Sequence, residues 1–209
     1  LSVAVVKNKM LAAVKAGDAA NAIELGEQWL VHANKVPVPN REEQAEIMSQ
    51  LGEAYFAAGQ YEQAEIAVRQ AISTSEKIKR LQNVESVKSL VKRASSHLIA
   101  GETEKAFPFA LTGLVLTEKV TPLNLDAMGD ALDVMGRIYS ALGQPALALR
   151  YFQNEIDISE IHFGVEHTST ALALNNLAVT YGELAEHEKA LPLQLRALSI
   201  WEKVMGPDH

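Results

Sequence analysis

The sequence predicts an all-α fold: a solenoid of five stacked helix hairpins. Three observations carry that expectation. The chain repeats itself every 42 residues, its apolar residues recur at steps of three and four, and aromatics make up only 6% of it. The clustered Val/Ile/Thr alternation of strands is nearly absent. Gly17, Gly59, Gly101, Gly143 and Ala185 lie 42 residues apart, and each closes an apolar, helix-like run. Five residues after each stands Ala22, Ala64, Ala106, Ala148 or Ala190; four before stands Ala13, Tyr55, His97, Tyr139 or Tyr181. Self-similarity at such a period is the mark of a repeat architecture.

The units follow in order. The first is degenerate, with Lys9, Met10 and Ala13 in core-pattern positions and Trp29 where a small residue is usual; Pro37 and Pro39 close it. The second carries Leu51-Gly52, Tyr55, Gly59-Gln60-Tyr61 and Ala64, a helix, a glycine turn and a second helix. Glycine suits the left-handed C-cap of the first helix. The third departs with Arg93 and His97, and the region of Asn83 separates it from the second less sharply. The fourth repeats the second: Met135-Gly136, Tyr139, Gly143-Gln144-Pro145, Ala148 and Phe152, after the breaker Pro122. In the fifth, Ala171, Leu174, Leu177, Ala178 and Tyr181 form one apolar helix face, and Ala190, Leu193, Ala197, Trp201 and Val204 form another. Gly164 and Gly206-Pro207 bracket it. Each unit cannot bury its apolar faces alone and must stack on its neighbours.

The pattern of Leu51-Gly52, Tyr55, Gly59, Tyr61 and Ala64, echoed from Met135 to Phe152, resembles a tetratricopeptide repeat, with 42 residues against the common ~34. Within that family the fifth unit is similar to the kinesin-light-chain type. It carries Ala173-Leu174-Asn175-Asn176-Leu177-Ala178, Glu188-Lys189-Ala190-Leu191-Pro192-Leu193, Arg196-Ala197-Leu198 and the connector Gly206-Pro207-Asp208-His209, echoed by Gly164-Val165-Glu166-His167. The resemblance implies a right-handed superhelix of about five hairpins in one domain over residues 1–209, with repeats near 3–38, 45–80, 87–122, 129–164 and 171–206. The absent initiator Met and the stop at the connector suggest a piece of a longer chain.

The resemblance further implies a concave groove, lined by the first helices, that holds partner peptides. By phase, the candidate groove residues are Lys7, Asn8, Gln50, Glu53, Lys88, Lys92, Asp133, Arg137, Asn175 and Asn176. Phe56, Val91, Asp130, Val134, Leu172 and Val179 share the predicted face. Asn8, Gln50 and Asn176 fall on one phase, and an amide offers a peptide backbone both a donor and an acceptor. Lys7, Lys88 and Lys92 fall on three phases of the family's carboxylate clamp, but Leu11 and Gln50 replace its asparagines, and Lys92 replaces its arginine with a less directional donor.

Composition excludes other classes. The chain has no cysteine, which removes disulfides, thiolate metal sites and cysteine nucleophiles. No apolar run is long enough to span a membrane. A net charge of −7 argues against direct nucleic-acid binding. The six histidines lack metal-ligand spacing, His167 and His209 sit at equivalent connector phases, and no phosphate loop or nucleophile elbow is present. No metal, cofactor or catalytic residue is expected, and the expected location is cytoplasmic.

The leading expectation is therefore a non-catalytic module that binds a partner peptide or helix. The alternative is a regulatory or sensory arm of a larger signalling protein, such as a transcription activator, a nucleotide-binding ATPase or a caspase-like protease. In that setting the groove would hold the protein's own effector domain. Self-association through the terminal repeats is a third expectation, because Leu1 and the row Leu191, Leu195 and Leu198 lack a polar cap.

Overall fold

Five equivalent residues end the first helix of each hairpin in the left-handed conformation: Gly17, Gly59, Gly101 and Gly143 at φ between 65° and 75°, and Ala185 at 59°. The residue after each donates its backbone N–H to the carbonyl five positions back. These bonds run from Asp18 to Ala13, Gln60 to Tyr55, Glu102 to His97, Gln144 to Tyr139 and Glu186 to Tyr181, at 2.8 to 2.9 Å. This six-to-one closure ties off helix carbonyls that would otherwise lack partners and reverses the chain at once.

The computed structural model describes residues 3–35, 40–75, 84–120 and 122–206. Leu1, Pro37, Pro39, Asn83, Pro207, Asp208 and His209 lie outside the described residues. Ten helices are found among those described. They are α1 (Val3–Ala16), α2 (Ala19–Ala33), α3 (Arg41–Ala57), α4 (Tyr61–Thr74), α5 (Val84–Ile99), α6 (Thr103–Thr117), α7 (Leu125–Ala141), α8 (Pro145–His162), α9 (Thr168–Glu183) and α10 (His187–Met205). Their N-termini are set by local chemistry. Asn40 and Asn124 accept the N–H groups of Glu43 (3.2 Å) and Ala127 (2.7 Å), Pro145 opens α8, and the His167 Nδ1 accepts the N–H of Ser169 at 3.1 Å. His167 thus acts as a cap.

The chain divides into two compact units, Leu1–Asn83 and Val84–His209, and each is described by itself. In the first unit α1 pairs with α2 and α3 with α4, while α3 also packs on α2 and α1. Its core is Val6, Met10, Trp29, Ile47 and Leu51, with Tyr55 partly buried against it. Gly52 permits the α3–α4 contact: a Cβ there would lie 2.5 Å from the Val68 Cγ2.

In the second unit the hairpins α5–α6, α7–α8 and α9–α10 stack in order, α7 touching α5 and α6, and α9 touching α8. Tyr139, fully buried, is flanked by Phe107 edge-on at 6.4 Å and Tyr151 stacked at 5.4 Å. Gly136 repeats the role of Gly52, with Phe152 2.5 Å from its absent Cβ. His97 of the divergent third repeat stacks on Phe109 at 5.6 Å and bonds Glu102 at 2.7 Å, and Arg93 lies over the same Phe109 ring.

The expected apolar face of α10 is correct at Ala190 and Ala197. It is wrong at Val204, which is 54% exposed, while Ile200 is buried in the role assigned to its neighbours. Among the described residues α10 packs chiefly on α9 and reaches α8 through the Arg196–Glu160 ion pair at 2.6 Å, and the helix buries one narrow stripe. Leu191, Leu195 and Leu198 remain exposed.

Candidate functional site

The predicted groove residues sit on the first helices of the hairpins, and each unit assembles its own constellation. In the first unit, Lys7 reaches from α1 to α3, where its Nζ donates to Glu46 Oε2 at 2.8 Å and Glu43 Oε1 at 3.1 Å. The bond to Glu46 outweighs the opposing effect of burial, so the ammonium pKa rises. Beside this pair lies an open cavity of 580 Å³ lined by Lys7, Asn40, Glu42, Glu43, Ala45, Glu46, Ser49 and Ser75. Ser75 Oγ donates to Glu42 at 3.0 Å across it. Three carboxylates against one lysine leave the cavity acidic. Asn8 is exposed on α1. On α3 the Gln50 Nε2 approaches Glu53 Oε1 at 3.4 Å, and desolvation by its surroundings raises the Glu53 pKa.

In the second unit, Lys88 of α5 donates to Asp126 of α7 at 2.9 Å, and Lys92 is exposed one turn on. Asp133 of α7 is the centre of the polar contacts. Its Oδ1 accepts from Asn176 Nδ2 of α9 at 3.0 Å, and its Oδ2 accepts from Arg137 at 3.3 Å. The structure thus brings together Asp133, Arg137 and Asn176. Asn175, next to Asn176 in the chain, is half-buried, and Leu172 and Val179, each 49% exposed, flank the amides along α9. Phe56, Val91 and Val134, which share the predicted face, turn inward and are buried. The two acid-binding lysines of the clamp pattern, Lys7 and Lys88, already hold carboxylates of their own chain.

One residue escaped the sequence reading. Glu155 of α8, 5% exposed, carries an Oε2 with no hydrogen-bond partner. Burial, reinforced by the negative charges of Asp133 and Asp130 and only partly offset by Arg137, pushes its pKa up to about 9, so it is protonated at neutral pH. Burial also raises Asp133 against the pull of Arg137 and Asn176, and it raises Asp130 together with the nearby Asp126. The signal was present in the repeat. Trp29, Ala71, Gly113 and Ala197 occupy the same phase, and Glu155 is its one ionisable member. Among the described residues no group of three His, Asp or Glu side chains is arranged to hold a metal ion. No helix among them is long and apolar enough to cross a membrane.

Residues 2–77 and 128–203 match the tetratricopeptide repeat family, together well over half the chain. No curated protein matches this sequence. Among solved structures, the chain is similar to the kinesin light chain nearly identical TPR-like repeats of Podosopora anserina. There it has 19% identity and a TM-score of 0.52, covering 97% of this chain and 96% of that one. It is also similar to BtubC (BKLC) from P. vanneervenii, with 17% identity, a TM-score of 0.55, and 98% and 81% covered. A Rap protein complexed with competence and sporulation factor matches at 19% identity and a TM-score of 0.53; 94% of this chain aligns with 54% of that one. With the five hairpin closures and the family match over both units, the chain belongs to the tetratricopeptide repeat family.

Proposed function

We propose that this protein is a non-catalytic interaction module that binds a partner peptide or helix along the exposed face of its first helices. The observation that carries this reading is on α9, where Leu172 and Val179 stand 49% exposed two turns apart. Asn175 and Asn176 lie between them on the same face. Apolar side chains left in water lose free energy that a ligand can recover, and amides between them can satisfy a peptide backbone. Tetratricopeptide folds are typical of protein-binding modules, and the similar Rap fold is found complexed with competence and sporulation factor. A cytoplasmic setting belongs to the same proposal.

The test is selection of binding peptides from a displayed library, followed by affinity measurements on variants. Asn175→Leu with Asn176→Leu, and charge reversal of Lys88 and Lys92, weaken the selected peptides. Unchanged affinity in both variants overturns groove recognition. The second reading, a regulatory arm within a larger protein, is favoured by exposed Leu191, Leu195 and Leu198 on α10. A full reading frame without a flanking effector domain would remove it.

A further inference from the structure

We propose that Asp130, Asp133 and Glu155 form a subsite for a cationic side chain of the bound partner, an arginine guanidinium or a lysine ammonium. The inference rests on the peptide-binding reading above and assigns it a ligand chemistry. Asp130 and Asp133 stand one turn apart on α7; Asp130 is exposed, and the side chain of Asp133 keeps 20% of its surface. Glu155 enters from α8, 5% exposed, and its Oε2 meets no donor.

A buried polar atom without a partner is costly. The equivalent positions in the other repeats are Trp29, whose indole Nε1 is also buried without a partner, and the small residues Ala71, Gly113 and Ala197, so only the fourth repeat places an ionisable group at this phase. The charged groups acting on Glu155 are Asp133, Asp130 and Arg137, all from α7, and Arg137 already bonds Asp133. From α9 the polar contribution is the amide of Asn176, also directed at Asp133. Arg137 is the cation bonded to Asp133, and Lys88 acts on Asp130 only through its charge while it bonds Asp126, so the cluster still has room for a cation with several N–H donors. A metal ion fits poorly, since no three of the described acidic or histidine side chains converge on a point. A guanidinium or ammonium tolerates wider spacing, and exposed Leu172 and Val179 on the adjacent helix accept apolar neighbours of the same ligand.

The cation also changes the protonation of the site. Glu155 holds its proton at neutral pH because burial and its acidic neighbours raise its pKa. An arriving positive charge opposes both effects, so the proton leaves as the ligand binds, and affinity rises with pH.

The probes are fluorescent hexapeptides Leu-Arg-Leu-Leu-Arg-Leu and the same peptide with glutamine for each arginine, titrated into the full chain. The arginine peptide is expected to bind at least about tenfold more tightly. Asp130→Asn with Asp133→Asn removes that preference. The control pair Glu188→Gln and Glu202→Gln, the same charge change on α10, alters affinity by less than about twofold. Glu155→Gln retains binding but abolishes its rise between neutral pH and pH 9, and circular dichroism confirms that each variant is folded. Equal binding of the two peptides by the native chain overturns the subsite while groove recognition stands. An equal loss in the control pair also overturns it, because the attraction is then to the net charge of −7. Failure of the arginine peptide to bind overturns it as well, and library peptides sensitive to Asn175 and Asn176 then decide groove recognition separately.

Discussion

Lys7 in the first unit and Asp133 in the second occupy the same phase of the first helix, three repeats apart, and meet opposite fates. Lys7 finds two carboxylates on the next first helix, Glu43 and Glu46, and its charge is answered across the repeat boundary. Asp133 finds an amide, one arginine at 3.3 Å, and two further acids, Asp130 and Glu155. The second helices diverge in the same way: at one phase the first unit buries Trp29 and the second buries Glu155. A repeat backbone dictates where a side chain stands. The residues of the neighbouring hairpin decide what field it stands in: the acids around Lys7 hold its ammonium, whereas Asp133 and Asp130 raise the pKa of Glu155.

The largest expected break in the comparison is at the tyrosine phase. Tyr139 is fully buried between Phe107 and Tyr151, so Tyr139→Ala is expected to cost about 3–5 kcal/mol by urea denaturation. Tyr55, its counterpart, is only half-buried and donates to Glu27 at 2.5 Å. Tyr55→Ala is expected to cost less than half as much. Desolvation, aided by Glu27, also pushes the Tyr55 pKa up to about 12, so its phenol stays protonated when ordinary tyrosines ionise, which ultraviolet titration reads.

Glu155 comes next. Its folded pKa of about 9 lies above the ordinary glutamate value, so its favourable contribution is whole below the unfolded pKa and is lost as pH rises through the folded one. Near pH 7 the loss amounts to about 3 kcal/mol. Glu155→Gln is therefore expected to stabilise the protein at neutral pH by up to that amount. It should also flatten the fall in stability between the two pKa values, measured by denaturation at several pH values. Ala185→Gly is expected to add about 1 kcal/mol, because Ala185 holds φ of 59° where its four counterparts are glycine. The smallest effect is Lys7→Met, below about 1 kcal/mol, since the pair is partly solvated and salt-screened. A larger loss would mean that the first unit depends on its ion pairs more than exposed bridges usually allow.

Much of the fold was legible because its determinants are local and periodic. The five left-handed closures, the small residues Gly52 and Gly136 under Val68 and Phe152, and the capping use of His167 are written within a few residues of where they act. The stripe on α10 was less legible, because periodicity cannot say how wide a face the packed neighbours will cover. The predicted face included Val91 and Val134, which prove to be core, since one helical turn carries both solvent-facing and hairpin contacts.

From the sequence alone came the helix hairpins, their period, their turns and the residues sharing each phase, because hydrogen bonding and apolar spacing act over a few positions. The tertiary structure alone decided which charges are answered. Among the bonds that join one hairpin to the next are those linking residues 36 to 43 positions apart, as in Lys7 with Glu43 and Glu46, and Asn176 with Asp133. Burial of Glu155 likewise exists only once α8 has packed against α7 and α9. Electrostatic environment is a property of packed neighbours and excluded water, and neither is encoded at the position that feels it.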